Sequence, residues 1–194
     1  MPTRPSSRPS ERSSRDAFLD TAGRLLRRQG YAATGLNEIV ARSGAPKGSL
    51  YFHFPGGKQE LAAAALSRAG EQLAASMGAI LSSSDDLGEA LGRLVDALCA
   101  GLEASGYADG CPIATVALEA NDSEALRAVS ASVFESWLEL LRTRLCDAGL
   151  EPAAAERRAL LVLSAIEGAL ILARTRRDPS ALAAVREELV ALAA

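Results

Sequence analysis

A short segment near the N-terminus, residues 31–61, is rich in side chains that can donate hydrogen bonds to anions. These donors are Lys47, Ser49, Tyr51, His53 and Lys58. Ammonium, hydroxyl and imidazole groups bond phosphate oxygens, and some can also reach the edges of bases. The segment therefore indicates nucleic-acid binding. Its glycines do not form a phosphate-binding P-loop, because neither GxxxxGKS nor GxxxxGKT is present.

Enzymatic and metal-dependent chemistry find little support in the sequence. Histidine occurs once, no CxxC pair is present, and the widely spaced cysteines are Cys99, Cys111 and Cys146. No motif pairs a nucleophile with a base. We therefore expect no catalytic residues, no metal site, no cofactor and no disulfide framework. Cys111 beside Pro112 could be a reactive sensor thiol, although an inert buried cysteine is the more frequent case.

Charge is distributed unevenly along the chain. The net charge is −3, yet residues 1–60 carry ten Lys and Arg against five Asp and Glu, whereas residues 61–194 are acidic. A basic N-terminal part is typical of nucleic-acid binding, although basic tails can also serve only to keep a protein soluble. Residues 1–12, rich in Arg, Ser and Pro, are expected to form a disordered basic tail.

We expect a cytoplasmic protein without a membrane partner. The odd, widely spaced cysteines suit a reducing compartment, and the first residues lack the apolar centre of a secretory signal. The most apolar stretch, Leu160 to Ala173, is interrupted by Ser164 and Glu167 and is too short to span a bilayer.

Apolar residues recur at helical spacing along most of the chain, and Gly and Pro mark the breaks between these runs. With 48% hydrophobic but only 4% aromatic residues, the core must be built from Leu, Ala, Val and Ile. The pattern predicts an all-α protein of about nine helices. Gly30 is expected to end the first helix, Glu38 to form half a capping box with Gly35, and Pro46 to lie in the first turn of the third.

Residues 31–61, YAATGLNEIVARSGAPKGSLYFHFPGGKQEL, resemble the DNA-binding signature of the TetR family. The matching residues are Thr34, Ile39, Ser43, Gly44, Lys47, Gly48, Leu50, Tyr51, His53, Phe54, Lys58 and Leu61. The later segment GCPIATVALEA is similar to the branch that holds lincomycin-resistance and related multidrug-resistance repressors. The resemblance implies a helix-turn-helix domain over residues 13–57, followed by a ligand-binding and dimerisation domain over residues 58–194.

In this family the third helix enters the major groove of operator DNA and places its first residues at base edges. The resemblance gives these DNA-binding candidates: Thr34, Gly35, Arg42, Pro46, Lys47, Gly48, Ser49, Tyr51, His53 and Lys58. Leu50 and Phe54 are expected to be core residues instead, and His53 could also be one. Gly35 and Pro46 stand where the family often has hydroxyl-bearing caps, so their side chains offer DNA no hydroxyl.

The C-terminal bundle would hold a ligand pocket and a dimer interface. Pocket candidates, each of which could equally be core, are Tyr107, Cys111, Ile113, Val116, Glu119, Phe134 and Trp137. Interface candidates in the last two helices are Leu163, Ile166, Glu167, Leu170, Leu182, Val185 and Leu189. A helix that is apolar nearly all round must be buried on most sides, and a second subunit would cover it. Glu167 must then find a hydrogen-bond partner at the dimer seam or the pocket wall.

These features predict a homodimeric repressor that binds a palindromic double-stranded operator and is released by a small, mostly apolar organic effector. Release would require the effector to bind the non-operator shape more tightly. The alternative is a DNA-bound organiser or protein-interaction factor that has the same fold and responds to no small molecule.

Overall fold

The computed structural model describes residues 13–120 and 122–192, so the tail predicted over residues 1–12 lies outside the described residues. Within those ranges every regular element is helical, which confirms the predicted all-α fold with nine α-helices. The helices are α1 (Ser14–Ala33), α2 (Leu36–Ser43), α3 (Leu50–His53), α4 (Gly57–Leu81), α5 (Leu87–Ala104), α6 (Pro112–Ala117), α7 (Glu124–Asp147), α8 (Pro152–Arg176) and α9 (Ser180–Leu192). A 3₁₀ turn, Lys47–Ser49, leads into α3.

Helix α1 contains a sharp break at Gly30. Its start is capped by Ser13, whose hydroxyl accepts a hydrogen bond from the Asp16 N–H at 3.1 Å. Gly30 adopts φ 78° and ψ −176°, a conformation that is essentially restricted to glycine. One further turn then follows up to Ala33. The prediction that Gly30 ends the first helix is therefore correct only in part, because the glycine breaks the helix without ending it.

The turn between α2 and α3 depends on Gly44, which ends α2 in the left-handed conformation at φ 69°. The predicted capping box at the start of α2 is wrong, because the Glu38 carboxylate instead binds Arg42 and Gln29. Pro46 is extended and lies before the 3₁₀ turn rather than in a first helical turn. Its carbonyl accepts the Ser49 N–H at 3.0 Å, which starts the turn.

Helices α1 to α3 and the beginning of α4 share one hydrophobic core. Phe18 meets Phe54 edge to face with ring centroids 6.5 Å apart, and Leu50 and Leu61 are buried in the same core. The prediction that Leu50 and Phe54 are core residues is confirmed. We call this N-terminal part, α1 to α3 with the beginning of α4, the head. Because its core side chains come from separate segments, their packing fixes the orientation of α3.

Helix α4 connects this head to the C-terminal bundle. On its first half, Arg68 pairs with Asp16 and Asp20 of α1 at 2.5 and 3.2 Å. On its second half, the Gly70 carbonyl accepts the Trp137 indole N–H from α7 at 3.2 Å. A Cβ at Gly70 would lie 2.5 Å from a Val133 methyl group, so only glycine allows α4 and α7 to approach this closely.

Helices α5, α7, α8 and α9 complete the bundle. Helix α7 packs on α4 and α8, whereas α9 packs on α5 and α8. The short helix α6 contacts α1, α4 and α7, so it touches both the head and the bundle. No helix in the part of the chain that the structure describes is long and apolar enough to cross a membrane.

Candidate DNA-binding surface and interior cavity

Helix α3 projects its polar and aromatic side chains away from the head core. Tyr51 is 61% exposed and Phe52 is 82% exposed, whereas their neighbour Leu50 is buried beneath them. An exposed pair of large rings on a short helix is unusual for a surface that faces only water. This face therefore has the composition of a binding surface.

Phe52 is the residue at this surface that the sequence interpretation missed. It lies between Tyr51 and His53 in the sequence, and its ring centroid is 5.1 Å from that of His53. An apolar ring can pack against the methyl group of thymine in the major groove, which is one way of reading a base. The sequence held a signal for this position. Residues two apart on a helix point in different directions, so Phe52 could not share the buried face with Phe54.

The residues before α3 present backbone and side-chain donors on the same side of the head. Lys47, Gly48 and Pro46 are exposed, and nothing lies within 4 Å of a Cβ built on Gly48. Ser49 is half-buried, and its hydroxyl already donates to the Pro46 carbonyl at 2.7 Å. Of the DNA contacts predicted in this turn, the exposed Lys47 side chain can extend towards DNA. Ser49 would first have to break its bond to the Pro46 carbonyl.

The environment of Thr34 contradicts the prediction that this residue contacts DNA. It is buried, and its hydroxyl donates to the Gly30 carbonyl at 2.6 Å, so it bridges the break in α1. Gly35, the next residue, is exposed at the N-cap of α2 and lacks a side-chain cap bond, as expected. The threonine therefore acts on the head fold, because its only hydroxyl is consumed inside the protein.

Lys58 is engaged within the protomer, which weakens its assignment as a phosphate contact. Its ammonium lies 4.3 Å from the centre of the Tyr31 ring and 3.4 Å from the Ala32 carbonyl oxygen. At the start of the same helix, the Glu60 carboxylate accepts the Gly56 N–H at 2.7 Å. An anion at this helix N-terminus would therefore have to face a carboxylate that already occupies it.

Arg42 and His53 remain at the edge of this surface. The Arg42 side chain is 61% exposed while it pairs with Glu38 at 3.0 Å. His53 is half-buried between the rings of Phe52 and Phe54, so it is neither a fully buried core residue nor a free surface group.

A cavity of about 260 Å³ lies inside the C-terminal bundle, next to the head. Its apolar wall is contributed by Leu73, Met77, Ile80, Leu94, Leu98, Leu102, Trp137, Leu141, Leu163, Ile166 and Leu170. Its polar wall consists mainly of Arg27, Ser76, Asp109, Cys111 and Glu167. A mostly apolar cavity with a few polar groups is the usual form of a site for a small organic molecule.

One wall of the cavity pairs a buried carboxylate with a thiol. The Cys111 thiol lies beside the Glu167 carboxyl group, whose Oε2 atom is sealed from solvent and receives no hydrogen bond. Burial raises the pKa of the Glu167 carboxyl above its ordinary value. Burial also raises the pKa of the Cys111 thiol, and the neighbouring carboxylate raises it further. The sequence placed Glu167 at a dimer seam or a pocket wall, and the structure places it at the pocket wall.

The raised pKa of Cys111 counts against a reactive sensor thiol, because only the thiolate reacts. In folded protein at pH 8 we expect iodoacetamide to label Cys111 at least about 100-fold more slowly than in urea, since each unit of raised pKa removes tenfold of the thiolate. Mass spectrometry of tryptic peptides measures this rate for each cysteine separately. Labelling of Cys111 ahead of Cys146 in the folded protein would restore the sensor interpretation.

The other predicted pocket residues divide between the cavity, the core and a second cleft. Trp137 and Cys111 line the cavity, and Phe134 supports the Trp137 ring edge to face at 5.6 Å without lining it. Ile113 and Val116 are fully buried core residues, so their assignment to a pocket is wrong. Tyr107 and Glu119 line a more open cleft of about 520 Å³ that shares Cys111 and Glu167 with the cavity.

Glu119 also holds the end of α1. Its Oε2 accepts the Ala32 N–H at 2.7 Å, and a Cβ on Gly30 would lie only 2.1 Å from its Oε1. The glycine thus allows a carboxylate from the loop after α6 to reach the broken end of α1. Nothing in the local sequence indicates this contact, because the two residues are far apart along the chain.

Most of the predicted interface residues face inward. Leu163, Ile166, Leu182 and Leu189 are buried within one protomer, so they cannot form an exposed dimer face. Glu167 and Leu170 line the cavity, and Val185 is half-buried. The assignments of the four buried residues are wrong, because they took the most apolar positions of α8 and α9 without knowing which side the bundle covers. Those of Glu167, Leu170 and Val185 stay predictions.

The exposed large apolar residues of α8 instead form two rows, Leu160 with Ile171 and Leu161 with Leu172. Their exposures lie between 46% and 52%, which is high for such side chains. Ser164 and Gly168 lie between the rows, and nothing in the protomer lies within 4 Å of a Cβ built on Gly168. We call this surface the α8 face.

Two family models match the chain. Residues 18–65 match the model described as bacterial regulatory proteins of the tetR family, and residues 88–188 match the C-terminal domain described as LmrA/YxaF-like transcriptional regulator. The HTH-type transcriptional regulator YxaF of Bacillus subtilis is 37% identical over 184 residues, which are 94% of this chain and 96% of YxaF. LmrA of the same organism is 32% identical over 170 residues, 87% of this chain and 90% of LmrA.

Solved structures share the fold at lower identity. A TetR transcriptional regulator from Legionella pneumophila is 22% identical and superposes with a TM-score of 0.86, covering 95% of this chain and all of its own. The reduced form of Escherichia coli NemR is 21% identical with a TM-score of 0.83, covering 94% of this chain and 99% of its own. Together with the family models and the two Bacillus relatives, these likenesses show that the chain belongs to the TetR family of DNA-binding transcriptional regulators, in the group with an LmrA/YxaF-like C-terminal domain.

Proposed function

We propose that the protein is a cytoplasmic, homodimeric repressor that leaves a palindromic operator when a small organic molecule enters the interior cavity. Residues 13–57 would bind DNA, and residues 58–194 would bind the ligand and the second subunit. The observation that carries this proposal is the position of the cavity, because its polar wall is in direct contact with the helix that positions the DNA-binding surface. Arg27 of α1 is itself a lining residue.

Contacts from the bundle converge on the last third of α1. The Gly110 N–H, next to the cavity, donates to the Arg27 carbonyl at 3.2 Å. Arg174 of α8 donates to the Arg28 carbonyl at 2.7 Å, and Glu119 accepts the Ala32 N–H at 2.7 Å. A ligand that displaces α8, or the loop that contains Gly110, would therefore also move α1, because these hydrogen bonds join them directly. Such a shift needs only a difference in ligand affinity between two orientations of the head.

The α8 face supports the dimer part of the proposal. A face of exposed leucine and isoleucine with small residues along its middle fits the close approach of a second helix. Two-fold pairing of this face would place two copies of α3 on the same side of the dimer, and each copy would read one half-site. The exposed rings of Tyr51 and Phe52 and the ammonium of Lys47 are the groups nearest to such DNA.

The proposal is tested first by selecting bound duplexes from a random DNA pool. We expect a palindrome whose half-site centres lie roughly 34–36 Å apart, or slightly more, along the DNA. A screen of small apolar and amphipathic compounds by thermal shift should then find compounds that raise the melting temperature in proportion to concentration and release the selected duplex. A single half-site would contradict the dimer. Palindrome binding with no compound causing release would favour the DNA-bound organiser.

Lys47→Ala should weaken binding to all duplexes alike if Lys47 contacts a phosphate, because such a contact reads no base. Each subunit would lose one contact, so the slope of log affinity against log salt should fall by about 1.8. Fluorescence anisotropy of the selected duplex at several KCl concentrations from about 50 to about 300 mM gives that slope. Over this range the affinity of a protein that contacts phosphates falls measurably. Arg127→Ala on the exposed side of α7 is the matched control. An unchanged slope with an altered base preference would instead assign Lys47 to base reading.

A further inference from the structure

The unpaired oxygen of Glu167 is the feature of the cavity that the fold does not explain. In the described part of the chain, Oε2 is buried and no protein donor reaches it, although the Cys111 thiol lies beside the carboxyl group. Buried polar atoms in proteins are nearly always hydrogen-bonded, so an exception requires a reason. Glu119 and Glu60, by contrast, each accept a backbone N–H on Oε2.

The charge of Glu167 is not balanced by the protein either. Burial is the main influence on its carboxyl group, and the only partner that acts on it among the described residues is Cys111. The arginines around the cavity serve other groups: Arg174 donates to the Arg28 carbonyl, and Arg177 donates to the Gly106 carbonyl. Arg27 shares the cavity wall with Asp109 and does not act on Glu167. Burial alone favours the neutral carboxyl, so the ionised form would be stabilised by a cation that enters from outside the chain.

The rest of the cavity limits what can carry that charge. An apolar cavity of about 150 Å³ can hold benzene, so the 260 Å³ found here has room for a larger apolar body. Leu73, Met77 and Ile80 of α4 and Trp137 of α7 form walls that offer such a body no charge. An aromatic face in the wall also attracts cations. The site is therefore mostly apolar, and its wall carries the carboxyl groups of Glu167 and Asp109 together with the Arg27 guanidinium.

We propose that the cavity takes compact hydrophobic organic cations, with Glu167 Oε2 as the acceptor for an ammonium N–H. This inference rests on the proposed function in one respect, which is that the cavity is the effector site. The cation places a donor on Oε2 and a charge beside the carboxylate, and its apolar body fills the space between α4 and α7. A neutral molecule of the same shape gains the apolar contacts but leaves the carboxylate without a counter-charge.

The test uses a matched pair of probes, 1-adamantylmethylammonium and 1-adamantylmethanol, which share one apolar body and differ in charge. The chain has a single tryptophan, so fluorescence quenching of Trp137 reports binding in this cavity, and calorimetry gives the affinity. We expect the full-length protein to bind the ammonium compound at least tenfold more tightly than the alcohol. Glu167→Gln keeps the shape of the side chain and should abolish this preference while changing affinity for the alcohol less than threefold. Glu135→Gln, an exposed position on α7, should change neither affinity.

Each other outcome is decisive. Equal affinities in the parent protein, or no binding of either probe, would overturn the inference. A preference that survives in Glu167→Gln would show that another group accepts the cation and would also overturn it. Release of the selected operator by the alcohol but not by the ammonium compound would leave the proposed function standing while this inference fails. Tight, Glu167-dependent binding of the ammonium compound without any change in operator affinity would support the inference and count against the proposed function.

Discussion

Gly168→Arg is expected to convert the protein into a monomer and to lower its affinity for the selected operator by about 10²–10⁴-fold. Two-fold pairing through the α8 face would place Gly168 of one subunit opposite the same region of its partner, so the variant would bury two arginines in one interface. A buried charge without a partner costs several kcal/mol. A separated monomer can hold only one half-site, and it loses the gain in effective concentration that joins the two.

The protomer itself should tolerate this change. Nothing lies within 4 Å of a Cβ built on Gly168, and its backbone is in the middle of α8. Arginine is a better helix former than glycine by roughly 0.8 kcal/mol, so the folded monomer should not be weakened by the substitution. Circular dichroism must therefore show a helix content like that of the parent. This property separates loss of the dimer from loss of the fold.

Sedimentation velocity measures the oligomeric state, and anisotropy with the selected duplex measures affinity. Ala131→Arg places the same side chain on an exposed position of α7 and serves as the control for a general effect of added charge. A Gly168→Arg protein that sediments as the parent dimer would place the subunit contact elsewhere. A parent protein that sediments as a monomer would contradict the proposed dimer directly.

Periodicity identified α8 as an apolar helix but could not assign its sides. Leu163 and Ile166 pack inside the protomer, while Leu161 and Leu172, equally apolar, remain exposed. The difference arises from where α7 and α9 lie, and that information is not contained in the sequence of α8. The same limit explains Glu167, which the sequence marked as needing a partner without indicating that it would lie in a cavity wall beside the Cys111 thiol.

The head was more predictable because its determinants are local. Gly44 ends α2, and Leu50 and Phe54 are buried, as the spacing within the motif indicated. The prediction for Thr34 is wrong and that for Lys58 is weakened for the same physical reason, because both groups form contacts with the broken end of α1. Those contacts depend on the conformation of Gly30, and a glycine in a sequence marks a break without specifying its dihedral angles.

Gly30→Ala is expected to lower the free energy of unfolding by about 2–4 kcal/mol. An L-residue at φ 78° and ψ −176° carries a conformational cost of roughly 1–3 kcal/mol. The new Cβ would also lie 2.1 Å from the Glu119 Oε1 atom, so the carboxylate must move and give up its bond to the Ala32 N–H, which costs about 1 kcal/mol. Chemical denaturation followed by circular dichroism, at one fixed protein concentration, measures the loss.

Gly23→Ala is the matched control because it lies in the same helix. Nothing lies within 4 Å of a Cβ built there, and the helix around it has ordinary dihedral angles. Alanine at that position should raise the free energy of unfolding by roughly 0.5–1 kcal/mol, since it restricts the unfolded chain and favours helix. A Gly30→Ala protein as stable as Gly23→Ala would contradict the conformation described for the break in α1.

A double-mutant cycle with Glu119→Ala separates the two contributions at Gly30. The single variant Glu119→Ala should cost about 1 kcal/mol, because it leaves the Ala32 N–H at the surface without its acceptor. In the double variant there is no overlap and the Ala32 N–H loses its acceptor only once, so its loss should be smaller than the sum of the two single losses by about 1 kcal/mol. Strictly additive losses would mean that the alanine Cβ and the Glu119 carboxylate never meet. Glu119 would then not be the group that fixes the end of α1, and the route from the cavity to the DNA-binding surface would rest on Gly110 and Arg174 alone.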